Sequence, residues 1–324
     1  MIGKSSLTAA LLSLCLAQFG DLPAQDPARR TGPNTPTVHV NVDIVLVNAT
    51  VTDGQNRFVV GLDKNDFQIW EDKVEQKIAY FSSEDVPMSV GIIFDISGSM
   101  KDKMSHARDA AAAFLAMGSP DDEYFLLQFN DRPEMIADFT TDINRVQRNL
   151  VFSQAKGMTA LYDAVYLGLS KLKQGANPKK ALLLITDGED NRSRYTYSNV
   201  RDYVKEQDAM LFAIGIVDSA TSQLSLGRSG RAILEELTEL TGGYAFFPES
   251  MNDLERDCEK IAVELKNQYL IGYTSTNSVK DGKWRKLRVK VTPPKELPLK
   301  SLSVRARSGY YAPMDTAAVT NKEK

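Results

Sequence analysis

The sequence predicts an α/β protein: a doubly wound, mostly parallel sheet joined to a β-sandwich-like unit built from the N- and C-terminal segments. Three observations predict it. From residue 88 to 267, apolar runs of strand length alternate with amphipathic stretches, the pattern of a parallel sheet covered on both faces. Residues 38–87 and 268–312 instead show period-two alternation broken by Gly, Asp, Asn and Pro, as half-buried strands do. Neither flanking set has enough strands to bury a core alone, so the two are expected to pair, with the α/β segment inserted between them.

The elements follow in order. Lys4 precedes an almost wholly apolar run over 7–19, and Leu22-Pro23-Ala24 offers a small residue for cleavage. Residues 1–24 are therefore read as a secretory signal, its apolar part well short of a spanning helix, with an uncleaved N-terminal anchor as the alternative. The expected location is secreted or periplasmic, with no stable membrane span after cleavage. Leu14 is too bulky to precede a lipidated cysteine at Cys15. Residues 25–37, rich in Pro, Arg, Thr and Gly, read as a linker.

In the N-terminal β unit, Val38, Val40, Val42, Ile44 and Leu46, then Val47, Ala49 and Val51, alternate with polar residues up to the turn at Asp53-Gly54. Further strands are expected over 57–60, 67–71 and 76–81. The α/β segment predicts strands at 90–95, 124–129, 135–139, 181–186, 210–217 and 244–247. Helices are expected at 103–117, 142–152, 160–173, 198–207, 232–241 and 251–266. Leu161, Val165, Leu169 and Leu172 recur at helical spacing, with Thr159 placed to cap that helix. The Ser- and Gly-rich stretch 219–230 reads as a loop. Strands at 269–274, 284–291 and 302–306 follow, and 313–324 is a polar tail expected to be disordered.

Composition narrows the function. The chain has 324 residues and a formal net charge of −3, which gives no electrostatic case for nucleic acid. Of its 2 cysteines, Cys15 lies in the leader. Cys258, on the apolar stripe of the last helix, reads as a buried inert thiol with no disulfide partner.

The chemistry-bearing segments stand at strand ends. Asp95-Ile96-Ser97-Gly98-Ser99 offers one carboxylate and two hydroxyls at alternating positions after the apolar strand 90–95. Thr159, in Gly157-Met158-Thr159-Ala160, and Asp187, in Thr186-Asp187-Gly188, supply further hard oxygens of the kind that suit a small divalent cation. Ligands of open α/β sheets bind beyond the carboxyl ends of the strands, where Asp95 and Asp187 fall. Taken singly, the first segment is equally a capping turn and the third a tight turn. Their common order and placement favour a metal site.

In order, spacing and βα context, these three segments resemble the metal-ion-dependent adhesion site of von Willebrand factor type A domains over roughly residues 88–266. The flanks, through Gly61-Leu62, Asp66-Phe67, Glu71-Asp72 and Ser308-Gly309-Tyr310, are more weakly similar to bacterial exported proteins carrying such a domain. The resemblance implies Ser97, Ser99 and Thr159 as hydroxyl ligands, and Asp95 and Asp187 as carboxylate ligands or water anchors. The implied ion is Mg²⁺, with Mn²⁺ and Ca²⁺ as alternatives. The implied partner is a protein presenting an acidic residue to an open coordination position. Asp163, one turn beyond Thr159, is either a support for the metal or, preferably, a carboxylate favoured by the helix dipole. Arg192, Arg194, Tyr195 and Tyr197, after Asp187, are residue types found at binding hot spots. Asn48-Ala49-Thr50 and Asn191-Arg192-Ser193 match glycosylation acceptors.

Two rivals accompany the adhesion reading. One is a structural or assembly scaffold whose metal site is satisfied internally. The other is a Mg²⁺-dependent phosphatase of the haloacid dehalogenase type, which needs a second aspartate where Ser97 stands. His39 and His106 offer no nucleophile-base pair. The sequence is read as a non-enzyme.

Overall fold

In the computed structural model, residues 44–216, 225–293 and 301–314 are described, with side chains left aside over 225–229. The leader, the linker, the strand residues Val38–Val42 and the tail beyond 314 lie outside the described residues.

The chain begins with β1 (Ile44–Asp53), β2 (Phe67–Glu71), β3 (Val74–Gln76) and β4 (Ile78–Ser82). The α/β segment follows as β5 (Met88–Asp95), α1 (Met104–Ala116), β6 (Glu123–Phe129), β7 (Pro133–Thr140), α2 (Ile143–Val151), α3 (Leu161–Leu172) and β8 (Lys179–Thr186). It continues with α4 (Tyr197–Lys205), β9 (Met210–Gly215), α5 (Ser225–Thr241), β10 (Ala245–Phe246) and α6 (Asp253–Lys266). The chain then returns to strands: β11 (Tyr269–Thr274), β12 (Trp284–Val291), β13 (Leu302–Ala306) and β14 (Gly309–Tyr311).

Among the described residues, six strands form the central sheet in the order β10-β9-β8-β5-β6-β7. All neighbouring pairs are parallel except β6 with β7, an antiparallel edge. All eight residues of β5 are buried, as expected for a central strand covered on both faces. Val90, Ile92 and Phe94 pack with α1 and α6, whereas Ile93 packs with α3 on the other face. Gly91 is needed here because a Cβ would lie 2.2 Å from the Phe125 ring. After β5 the chain adds β6 on one side and, later, β8 on the other. The direction of winding therefore reverses between β5 and β8, which run in register from Met88↔Lys179 to Phe94↔Ile185.

The flanking strands interleave. In one sheet, ordered β13-β1-β11-β4, the N-terminal β1 lies between two C-terminal strands, pairing Val47 with Ile271 and Val51 with Val304. The second sheet is ordered β14-β12-β2-β3. Val47, Ala49 and Val51 share one core with Ile69, Ile271 and Leu287 from both sheets. Glu71, buried at 2 % exposure, accepts hydrogen bonds from Tyr273 Oη at 2.7 Å, Tyr310 Oη at 2.9 Å and Ser275 Oγ at 2.7 Å. Glu264 of α6 joins this unit to the α/β segment through Thr50 Oγ1 at 3.0 Å and an ion pair with Arg305.

Several expectations are corrected. Residues 57–60 form no strand; a single bridge, Thr52↔Phe58, stands there. The cause is Asp53, whose Oδ1 accepts from Gln55 N and Arg57 N and commits the segment to a turn. The strand expected over 76–81 divides at Lys77: β3 pairs with β2 in one sheet and β4 with β11 in the other, turning a sandwich corner. Ser225–Gly230, expected in a loop, opens α5; residues 219–224 are outside the described set. Strand β14 was not foreseen. Asn48 lies inside β1, opposite Leu270, and Thr50 is buried against Glu264, so the first glycosylation motif is strand interior. Cys258 is fully buried and burial pushes its thiol pKa up, in keeping with an inert thiol.

Candidate metal centre

The site grows from the ends of β5 and β8, on either side of the winding reversal where α/β sheets open a crevice. Asp95 ends β5 and is fully buried. Its Oδ1 accepts from Ser97 N at 2.8 Å, closing the turn that leads into the 3₁₀ segment Gly98–Met100. Its Oδ2 accepts from Thr186 Oγ1, the last residue of β8, at 2.6 Å. Ser97 Oγ and Ser99 Oγ stand 3.1 Å apart, facing one another.

The Thr159 loop is held against this turn by backbone. Gly98 N donates to Gly157 O at 2.9 Å, and Lys156 N donates to Ile96 O at 2.9 Å. Gly157 takes φ +83°, and a Cβ there would meet Asp131 Oδ2 at 2.5 Å, so both the dihedral and the space select glycine. Thr159 itself is pinned on both sides: its N–H donates to Asn191 Oδ1 at 2.8 Å and its carbonyl accepts from Asn191 N and Arg192 N. Asp187 follows β8, and Gly188 after it takes φ +91°. Gly230 of α5 packs on that turn so closely that a Cβ would lie 2.5 Å from Gly188 O.

Three loops thus bring Asp95, Ser97, Ser99, Thr159 and Asp187 to one edge of the sheet. Among the described residues no three His, Cys, Asp or Glu side chains gather into a metal-binding group. The donor set is hydroxyl-rich with two carboxylates, all hard oxygens, which fits Mg²⁺ better than a thiophilic or imidazole-seeking metal. Burial, and then the nearby Asp187 carboxylate, push Asp95 up to about 6, against the lowering effect of its Thr186 and Ser97 hydrogen bonds.

Some readings change. Thr159 does not cap α3; Ala160 occupies the N-cap with no side-chain cap bond. Asp163 lies in the first turn of α3, as the dipole reading expects, and its Oδ1 also accepts from Arg194 N and Tyr195 N at 2.9 and 3.1 Å. That carboxylate ties the loop after Asp187 to the start of α3. The Tyr195 ring is stacked on Tyr166 with centroids 4.2 Å apart, and Tyr197 faces Tyr162. These tyrosines serve the loop's own packing first. Asn191 lends its Oδ1 to Thr159, so the second glycosylation motif is engaged in the site.

Two participants escaped sequence reasoning. Thr186 looked like strand interior, and its register against β5 alone reveals its role. Lys103 Nζ lies 3.4 Å from Asp187 Oδ2, with both side chains only 9 % exposed. A signal for it existed: a lysine at the N-cap of α1 opposes the helix dipole and requires a reason.

A doubly wound sheet with an oxygen-lined crevice at its winding reversal defines the class. Residues 90–189 match the family model of the von Willebrand factor type A domain, and the chain carries such a domain. Comparison with curated proteins gave no match. Among solved structures, a von Willebrand factor type A protein from Catenulispora acidiphila is 12 % identical, covering 86 % of this chain and 75 % of that one, with a TM-score of 0.46. An aerotolerance-related membrane protein from Bacteroides fragilis is 17 % identical over 55 % of this chain and 99 % of that one, TM-score 0.44. The pilus adhesin SpaC from Lactobacillus rhamnosus GG is 12 % identical over 81 % of this chain and 49 % of that one, TM-score 0.47. Among the described residues no helix is long and apolar enough to cross a membrane.

Proposed function

We propose that this is an exported, non-enzymatic protein-binding module that docks an acidic side chain of a partner through a divalent cation, Mg²⁺ before Mn²⁺ or Ca²⁺. Ser97, Ser99 and Thr159 act as neutral hydroxyl ligands. Asp95 and Asp187 act directly or through water. The observation that carries the reading is the convergence of these five residues at the β5/β8 crevice, each on a loop fixed by backbone hydrogen bonds.

When bound, the ion supplies a Lewis-acidic position that a partner's carboxylate can fill. The chain's own work is preorganisation. Asp95 is oriented by Thr186 and by the Ser97 amide, so its carboxylate cannot turn away. The Gly98–Gly157 contact sets the serine turn against the threonine loop, and Asn191 holds Thr159 in place. Export rests on the leader over 1–24.

Calorimetric titration of Mg²⁺ and Mn²⁺ into metal-stripped protein, beside an equally folded Asp187→Ala variant, tests this. Saturable binding lost in the variant supports the reading; no binding to the wild type overturns it. The Lys103–Asp187 pair favours a second reading, a scaffold whose site is satisfied from within. Under that reading, glutamate-containing peptides leave the Mg²⁺ affinity unchanged, whereas under the first they raise it.

A further inference from the structure

We propose that Lys103 is a resident counter-ion of this site: its ammonium holds Asp187 in the absence of a divalent ion, and the ion gains Asp187 only by displacing it. The inference rests on the metal reading above and deepens it, because it assigns a residue that sets how tightly the ion is held.

The geometry places lysine and ion in competition. Lys103 Nζ reaches Asp187 Oδ2 at 3.4 Å in a place almost closed to water. A largely buried ammonium is costly without a charged partner, and its position at the N-cap of α1 adds the repulsion of the helix dipole. Backbone bonds fix its origin: Lys103 N donates to Met100 O at 2.9 Å, and Ala107 N donates to Lys103 O at 3.0 Å. The stem therefore rises directly after the turn that carries Ser97 and Ser99, and rotation about its own side-chain bonds can move the ammonium off Asp187 while the turn stays in place.

Two consequences follow. Without an ion, one ammonium offsets part of the repulsion between Asp95 and Asp187. With an ion, the same ammonium is a like charge beside a dication, which weakens metal binding, and its nearby charge also draws a carboxylate ligand. Lys103 thus trades metal affinity for stability of the metal-free site.

The test is Mg²⁺ calorimetry on the metal-stripped full chain for wild type, Lys103→Met and Lys103→Arg, with thermal unfolding in chelator and in saturating Mg²⁺. Removing a like charge at this range is expected to tighten Mg²⁺ binding by about tenfold in Lys103→Met. That variant should melt below wild type in chelator, and the gap should narrow in Mg²⁺. Lys103→Arg, which keeps the charge, should bind as wild type does. Should Lys103→Met not fold, Lys103→Gln carries the comparison. Equal Mg²⁺ affinities in wild type and the neutral variant overturn the inference and leave the metal site standing. Absence of Mg²⁺ binding in every folded form overturns both.

Discussion

Thr186 Oγ1 donates to Asp95 Oδ2 at 2.6 Å, tying together the ends of the two central strands of the sheet. This bond crosses the point where the winding reverses, so it both closes the crevice and aims the carboxylate. Replacing Thr186 with Val keeps the shape and removes the donor. The expected cost is about 1–3 kcal/mol, because a buried carboxylate loses a partner. Urea denaturation should report it, and Mg²⁺ binding should weaken in parallel as Asp95 loses its fixed orientation.

Gly157 offers a test of the loop apart from any ligand atom. With φ at +83° and Asp131 in the place of a Cβ, Gly157→Ala is expected to cost about 1–3 kcal/mol. It should also displace Thr159. A variant that melts as wild type does and binds Mg²⁺ unchanged would contradict the claim that this backbone turn sets the threonine.

Glu71 makes a prediction for the β-sandwich. Its carboxylate is shared by Tyr273, Tyr310 and Ser275, joining β2 to the C-terminal segment. Glu71→Ala leaves the buried Tyr273 hydroxyl and the half-buried Tyr310 hydroxyl without their acceptor, and a loss of about 3 kcal/mol is expected. Tyr310→Phe removes one donor and should cost about 1 kcal/mol. Chemical denaturation of both variants checks the ratio.

Lys179 predicts a pH effect. Burial lowers its pKa to about 8 from an ordinary 10.5, against the raising effect of Asp85, Asp122 and Glu264. Between those two values the unfolded chain holds a proton that the folded chain has released. Stability therefore gains from this group as pH rises from 8 towards 10.5, and its penalty is fully present below 8. The increment lies on the order of 1.4 kcal/mol per pH unit within the window. Comparing wild type with Lys179→Met by denaturation from pH 7 to 10.5 isolates it: the stability advantage of the variant should shrink as pH rises. A difference that stays flat across the window would refute the assignment.

How far the sequence could be read is clearest at the same positions. The continuous apolar runs of β5 and β8 announced central parallel strands, because a strand buried on both faces has no polar side to show. Asp95, Ser97, Ser99 and Asp187 were visible as candidates because polar oxygens directly after such runs can only lie at a sheet edge. Boundaries fared worse where local polar groups competed with strand pairing: Asp53 captured the backbone of 55–57, and Lys77 became a corner between two sheets.

The sequence by itself determined the α/β class, the alternation that places four oxygen donors at or after the ends of two strands and a fifth just before a helix, and the mutual need of the two flanking strand sets. These are local or periodic properties, encoded in which residues a helix or strand must bury. Tertiary structure decided the rest. It placed β1 between β11 and β13, brought Thr186 onto Asp95, left Thr159 free of its helix, and set Lys103 on Asp187. Each of these pairs residues distant in the chain or turns a side chain one way among several, and only the packed fold selects among such partners.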